Sequence, residues 1–200
     1  MTAMPFVDLT EQTRILSRLV SEVPDTGLAG PTPCPEYTVA GMLGHLMGLA
    51  VAFRDAARKD LGPTTDTAPD PAAVSLPEAW REELPRVLGE LAGAWQDPEA
   101  WTGMTRAGGV DLPGEVAGAV AVDELVIHGW DLARATGRAY APDGAALRAS
   151  HAFLLAAAQE GDRGGGIFGP VVSVPDDAPL LDRAVGLSGR DPGWVPPTTP

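Results

Sequence analysis

"DELVIHGWDLARATG", residues 123 to 137, is the stretch on which the fold turns. At ~100° per residue a helix places Glu124, His128 and Asp131 within about 60° of one another. Ala117, Val120, Ala121 and Ile127 flank them, while Val122, Leu125, Val126 and Ala133 make the opposite face apolar too. A helix that is apolar on nearly every side is buried on most of them. An isolated carboxylate there costs several kcal/mol or takes up a proton. A metal ion is one remedy, because it keeps the carboxylate ionised and the imidazole neutral. A buried hydrogen bond between glutamate and histidine is the other, and the spacing alone leaves the two level.

Around this stretch the chain reads as helices joined by loops. "DLTEQTRILSRLVSEV" opens with Asp8 and Glu11 at capping-box spacing and continues as an apolar stripe. Thr38 is placed to cap a second helix, "VAGMLGHLMGLAVAFRDAARKD", with Tyr37 and Met42 as its hydrophobic staple. After a Pro/Thr/Asp-rich connection over 61–74, Ser75 and Glu78 are expected to cap a third helix to about Trp95, bent at Pro85. Residues 96–113 read as an irregular connection, with no sustained alternation anywhere to suggest a strand. A fourth helix spans 114–136 and ends at Gly137, and a fifth is "GAALRASHAFLLAAAQE". "GDRGGGIFGPVVSVP" is a loop, "DAPLLDRAVGLSG" a short last helix, and "RDPGWVPPTTP" a tail. Its glycines follow no strand, so "GDRGGG" is no phosphate loop. The expectation is an all-α fold: one helix-bundle domain over residues 1–200, with an additional C-terminal helix and an irregular tail from about 191.

Composition narrows the partners. The formal net charge is −13, which repels nucleic-acid phosphates and anionic lipid surfaces. One cysteine, Cys34, excludes an internal disulfide framework and a multi-cysteine zinc module. With no basic start followed by an apolar run, the N-terminus carries no signal peptide, and a cytoplasmic protein is expected.

His45 joins the first constellation from the second helix. It shares a face with Gly41, Met42, Gly48, Leu49 and Ala52. A glycine inside a helix costs up to about 1 kcal/mol relative to alanine, and this helix carries Gly41, Gly44 and Gly48. Either a neighbouring helix approaches closely, or the space beside His45 is needed for something. A lone histidine on an apolar face is usually a satisfied core residue. Together with Glu124 and His128 it makes two histidines and one carboxylate, a set suited to zinc, nickel or ferrous iron, and three protein donors leave a position for water or substrate. Asp131 is placed either to orient a ligand imidazole or to pair with an arginine. Cys34 reads as a small buried hydrophobe, and His151, on the Leu147/Leu154/Leu155 face, as a core or interface histidine.

"TPCPEYTVAGMLGHLMG", "DELVIHGWDLARATG" and "FGPVVSVPDDAPLLDRAVGLSGRDPGW", in that order, resemble the actinobacterial branch of the DinB-like superfamily. The likeness is to metal-binding proteins related to mycothiol-dependent maleylpyruvate isomerase. It implies a four-helix bundle with a divalent metal, zinc before nickel or iron, held near one end. The ligands it implies are His45 from the second helix and the Glu124/His128 pair from the fourth. It further implies a small thiol, mycothiol, and a small electrophilic substrate, in a transferase or isomerase; a homodimer is compatible with it. The isomerase's extra C-terminal domain and its catalytic arginine have no counterpart in these motifs. The competing expectation is a non-catalytic helical protein that binds a metal or small ligand.

Overall fold

The computed structural model describes residues 6–159 and 168–197. Four helices form the bundle: α1 (Thr10–Ser21), α2 (Val39–Arg58), α4 (Trp80–Ala94) and α5 (Gly114–Ala135). A single turn, α3 (Pro63–Asp66), follows α2. α1 and α2 each pack against both α4 and α5, so the four surround one core. α6 (Gly144–Gln159) lies against α5, and α7 (Leu180–Leu187) against α6. Leu16, Met42, Leu43, Leu46, Leu84, Leu88, Leu91, Leu125 and Leu132 are wholly buried where the bundle helices meet. At roughly 2 kcal/mol for each fully buried leucine, this contact dominates the stability of the fold. α5 is buried along most of its length, as its all-round apolar pattern requires. Among the described residues no helix is long and apolar enough to cross a membrane.

Local signals decided some ends and lost others. Thr38 caps α2 as expected, its hydroxyl accepting from the Gly41 amide at 3.1 Å. The capping box at α1 does not form. Leu9 is wholly buried and takes the capping position, Asp8 accepts from the Thr10 amide, and Glu11 pairs with Arg14. α4 starts at Trp80, not near Ser75, and continues through Pro85. The Ser75 carbonyl is instead pressed against α2 at Gly44, which holds residues 74 and 75 outside the helix.

The connection over 96–113 is not irregular. It holds a 3-10 turn, Pro98–Trp101, and an antiparallel hairpin of β1 (Met104–Ala107) and β2 (Val110–Pro113). Gly108 and Gly109 have φ of 59° and 78°, the paired positive values of a two-residue hairpin turn. The Gly109 amide also donates to the Thr65 carbonyl at 2.8 Å, docking the hairpin on α3. At the end of α2, Lys59 adopts a left-handed φ of 59° and donates to the Ala100 and Thr102 carbonyls.

The stretch expected to be a tail begins as part of the body. Arg190 reaches Asp131, the Pro192 carbonyl accepts from Arg134 at 3.0 Å, and Trp194 is half-buried against the core. "GDRGGG" lies outside the described residues.

Candidate metal centre

α2 packs on α5, which brings His45 opposite the Glu124/His128 pair. The Nε2 atom of His128 lies 2.9 Å from Glu124 Oε2, and that of His45 lies 3.4 Å from the same oxygen. One donor atom from each residue can be chosen so that all three fall within 4.8 Å of one another. For a tetrahedral zinc with bonds near 2.0–2.1 Å, ligand atoms stand about 3.3 Å apart, so small side-chain adjustments reach that geometry. Both histidine side chains are about 10% exposed and Glu124 is 23% exposed, which leaves the centre one open flank. The two imidazoles meet edge to face at 4.9 Å.

Each ring has a partner on its other side. His128 Nδ1 is 2.9 Å from Asp131 Oδ2, and Asp131 has no exposed surface. Arg190 clamps the same carboxylate, with Nε at 2.8 Å from Oδ1 and Nη2 at 2.8 Å from Oδ2. Tyr37, expected to staple the start of α2, stacks on His45 at 4.8 Å with its hydroxyl 3.3 Å from Nδ1.

The charges are strongly coupled. Burial pushes the Glu124 carboxyl up, but the two histidines overcome it and hold it below the ordinary carboxylate range. Burial works against the charged form of His128 too, yet Glu124 and Asp131 outweigh it and lift the imidazole to about 9. Asp131 is pushed up by burial and brought below its usual range by Arg190 and His128. Burial, reinforced by nearby acidic groups, raises the Tyr37 phenol to about 12. With no ion present, the arrangement is one carboxylate bridging two imidazoles, with one imidazole holding an extra proton. A divalent ion would replace that proton among the same atoms, and the donor set therefore fits the group the resemblance implies.

The other residues singled out lie elsewhere. His151 is half-buried on α6, and burial together with Arg183 depresses its pKa; it does not join the three donors. Cys34 is partly buried, and burial raises its thiol pKa against the pull of nearby Arg190. Of the α2 glycines, Gly44 marks the close approach: a Cβ there would stand 2.5 Å from Val74 Cγ1. At Gly48 a Cβ would meet nothing within 4 Å. Sequence reasoning missed Arg190, whose only trace was that a buried Asp131 needs a cation. It also missed Asp123, whose Oδ1 accepts from Ser150 at 2.6 Å while burial lifts its carboxyl to about 7.

Known proteins resemble the chain to differing extents in sequence and in fold. The family model described as the mycothiol maleylpyruvate isomerase N-terminal domain matches residues 9–133, which take in the four bundle helices to within two residues of the end of α5. The uncharacterized protein Rv0738 of Mycobacterium tuberculosis (strain ATCC 25618 / H37Rv) is 26% identical over 175 residues, 86% of this chain and 90% of that protein. The uncharacterized protein Rv0036c of the same organism is 32% identical over 155 residues, 66% of this chain but 57% of that longer protein. In fold, the chain is similar to the crystal structure of the mycothiol-dependent maleylpyruvate isomerase. The TM-score is 0.52 at 20% identity, over 72% of this chain and 65% of the isomerase. A histidine-to-alanine variant of that enzyme gives 0.50 at 18% identity over the same shares. With the family model covering well over half of it, the chain belongs to the mycothiol maleylpyruvate isomerase N-terminal domain family and has a helical fold similar to that of the isomerase.

Proposed function

We propose that the chain is a metal-dependent protein that presents a low-molecular-weight thiol, mycothiol, to a small electrophile, as a transferase or isomerase. His45, Glu124 and His128 hold the divalent ion, zinc before nickel or ferrous iron. One observation carries the reading: three donors from two helices converge on a single point, and among the described residues no fourth histidine, cysteine, aspartate or glutamate completes the set. Asp131 stands closest in sequence to filling that place, but its carboxylate is taken by Arg190 and His128 Nδ1. The remaining position is open to an external ligand. A divalent ion bound there lowers the pKa of a coordinated thiol and so supplies a thiolate at neutral pH.

The protein's own groups prepare that chemistry. Asp131 accepts the Nδ1 proton of His128 and turns its Nε2, the atom that would give up its proton to a metal, toward Glu124 and His45. The Tyr37 hydroxyl can accept the corresponding Nδ1 proton from His45, and at neutral pH it stays protonated itself. No side chain is assigned as general base. A thiol-dependent role suits the reducing interior of a cytoplasm.

A non-catalytic metal- or ligand-binding protein is the second reading, and one observation favours it. The guanidinium of Arg190, which lies beside the centre, is already engaged by Asp131 and Ser188 and is not a free cationic fork for an anionic substrate. Titration of the cobalt-substituted protein separates the two. Mycothiol should produce a sulfur-to-metal charge-transfer band that is absent in His45→Ala and absent with the analogue bearing hydroxyl in place of thiol. An equal response to both compounds, or none, moves the assignment to the binding protein.

A further inference from the structure

Asp131 is a wholly buried carboxylate with two different claims on it. Its Oδ2 lies 2.9 Å from His128 Nδ1 and 2.8 Å from Arg190 Nη2, while its Oδ1 lies 2.8 Å from Arg190 Nε. Arg190 comes from the segment just after α7, outside the residues 9–133 that the family model matches. Its side chain is 13% exposed. Its position is set by the end of α7: the Arg190 amide donates to the Val185 carbonyl at 3.1 Å, and Nη1 lies 3.4 Å from both the Ser188 carbonyl and hydroxyl oxygens. α7 rests on α6, which rests on α5. A continuous packed path therefore returns the C-terminal segment to the helix that carries Glu124 and His128.

We propose that Arg190 is a positioning residue for this centre: through Asp131 it fixes the ring of His128 so that Nε2 faces Glu124 and His45. The physical reason is that a buried carboxylate without a cation takes up a proton or moves away. Either change ends its service as a fixed acceptor for Nδ1–H, and the imidazole is then free to turn. A planar guanidinium engages both carboxylate oxygens and sets the carboxylate's plane; an ammonium cannot. The segment after α7 is thereby part of the site, although it contributes no donor to it. Only the zinc measurement below rests on the metal reading proposed above.

The test compares the whole chain with Arg190→Gln and Arg190→Lys. In metal-free protein labelled with nitrogen-15, the ring Nδ1 proton of His128, assigned by its loss in His128→Ala, is expected to be protected from solvent exchange. Arg190→Gln should accelerate that exchange at least about tenfold, with Arg190→Lys between the two, since orienting partners of this kind act over roughly 10- to 100-fold. Zinc affinity by chelator competition should fall about 10- to 100-fold in Arg190→Gln, with helical circular dichroism retained. A folded Arg190→Gln with unchanged ring-proton exchange overturns the proposal, whatever zinc does. If Arg190→Gln does not fold, Arg190→Lys, which keeps a cation beside Asp131 but loses the planar fork, is read instead. Wild-type protection in that variant overturns the proposal, and loss of protection supports it. Failure of the wild type to bind zinc refutes the metal reading, while the ring-proton comparison still decides the role of Arg190.

Discussion

Metal binding should expel close to one proton, and His128 is its source. Metal coordination needs the neutral imidazole. Without metal, Glu124 and Asp131 outweigh the effect of burial and hold His128 at about 9. At pH 7 about one molecule in a hundred is then ready to bind, which lowers apparent affinity about 100-fold, or ~2.7 kcal/mol, relative to alkaline solution. Glu124, held below the carboxylate range, is already ionised and gives up nothing. Apparent zinc affinity should therefore climb about tenfold per pH unit from 6.5 toward 9. The assay is calorimetry at pH 7.5 in buffers of different ionisation enthalpy. A histidine held at about 9 releases ~1 proton there, whereas one near 6.5 releases ~0.1. A bound water could also lose a proton, so Asp131→Asn is the control. That variant keeps the three donors and any bound water, and it removes only one of the anions facing His128. Its release must fall. Equal release from both proteins, or an affinity flat between pH 6.5 and 8.5, would refute the electrostatic account. The same group carries a stability term in metal-free protein. Its folded pKa is raised, so the term is fully present below about 6.5 and disappears as pH rises through about 9.

Other outcomes follow from the same geometry. His128→Ala should abolish stoichiometric zinc binding while far-ultraviolet dichroism stays helical, since the bundle core does not depend on that ring; elemental analysis after reconstitution checks it. Asp123 is held at about 7 instead of 3.8 by burial, so the folded state keeps a proton that the unfolded chain loses, and stability falls as pH rises between those values. Asp123→Asn should therefore gain up to ~4 kcal/mol at pH 8 and less than ~2 at pH 5, read from urea unfolding; a gain independent of pH contradicts the cause assigned. The α2 glycines should part company in thermal melts. Gly48→Ala meets open space and should stabilise by up to ~1 kcal/mol, whereas Gly44→Ala must displace Val74 or the Ser75 carbonyl and should destabilise by ~1–3 kcal/mol.

What could be read before any coordinates was whatever a single helix states about itself. The apolar girdle of α5 announces burial, which the structure has, and the three polar residues inside it, Glu124, His128 and Asp131, do lie in contact with one another. Thr38 caps because its hydroxyl and the amide it serves are three residues apart, a distance that sequence controls. Asp8 and Glu11 have the same kind of spacing and fail as a box, because the core draws Leu9 inward and shifts the helix start. The hairpin was hidden for another reason. Strands of four residues are too short to show alternation, so the Gly108–Gly109 pair was the one sign of a turn. Three glycines on α2 left open a close helix or a needed space, since spacing along one helix is silent about what crosses it; residues 74 and 75, not a helix, press on Gly44, and Gly48 faces open space.

Asp131 shows most clearly where a one-helix reading stops. On sequence its two roles, orienting an imidazole or pairing with an arginine, compete for one side chain. In the folded chain they are a single arrangement, and each requires the other. The carboxylate can stay ionised at zero exposure because Arg190 neutralises it, and an ionised carboxylate is what a fixed Nδ1–H acceptor must be. The arginine in turn tolerates its burial because Asp131 takes two of its donors and the end of α7 another. Spacing within α5 could put Asp131 beside His128, since both lie on one helix three residues apart. It could not supply Arg190, which reaches the site only because α6 and α7 fold back over α5. The open position proposed for the centre would therefore be a product of more than the two helices that carry its donors. Without the C-terminal arginine, Asp131 would have a lone pair to offer and no fixed charge to hold it aside.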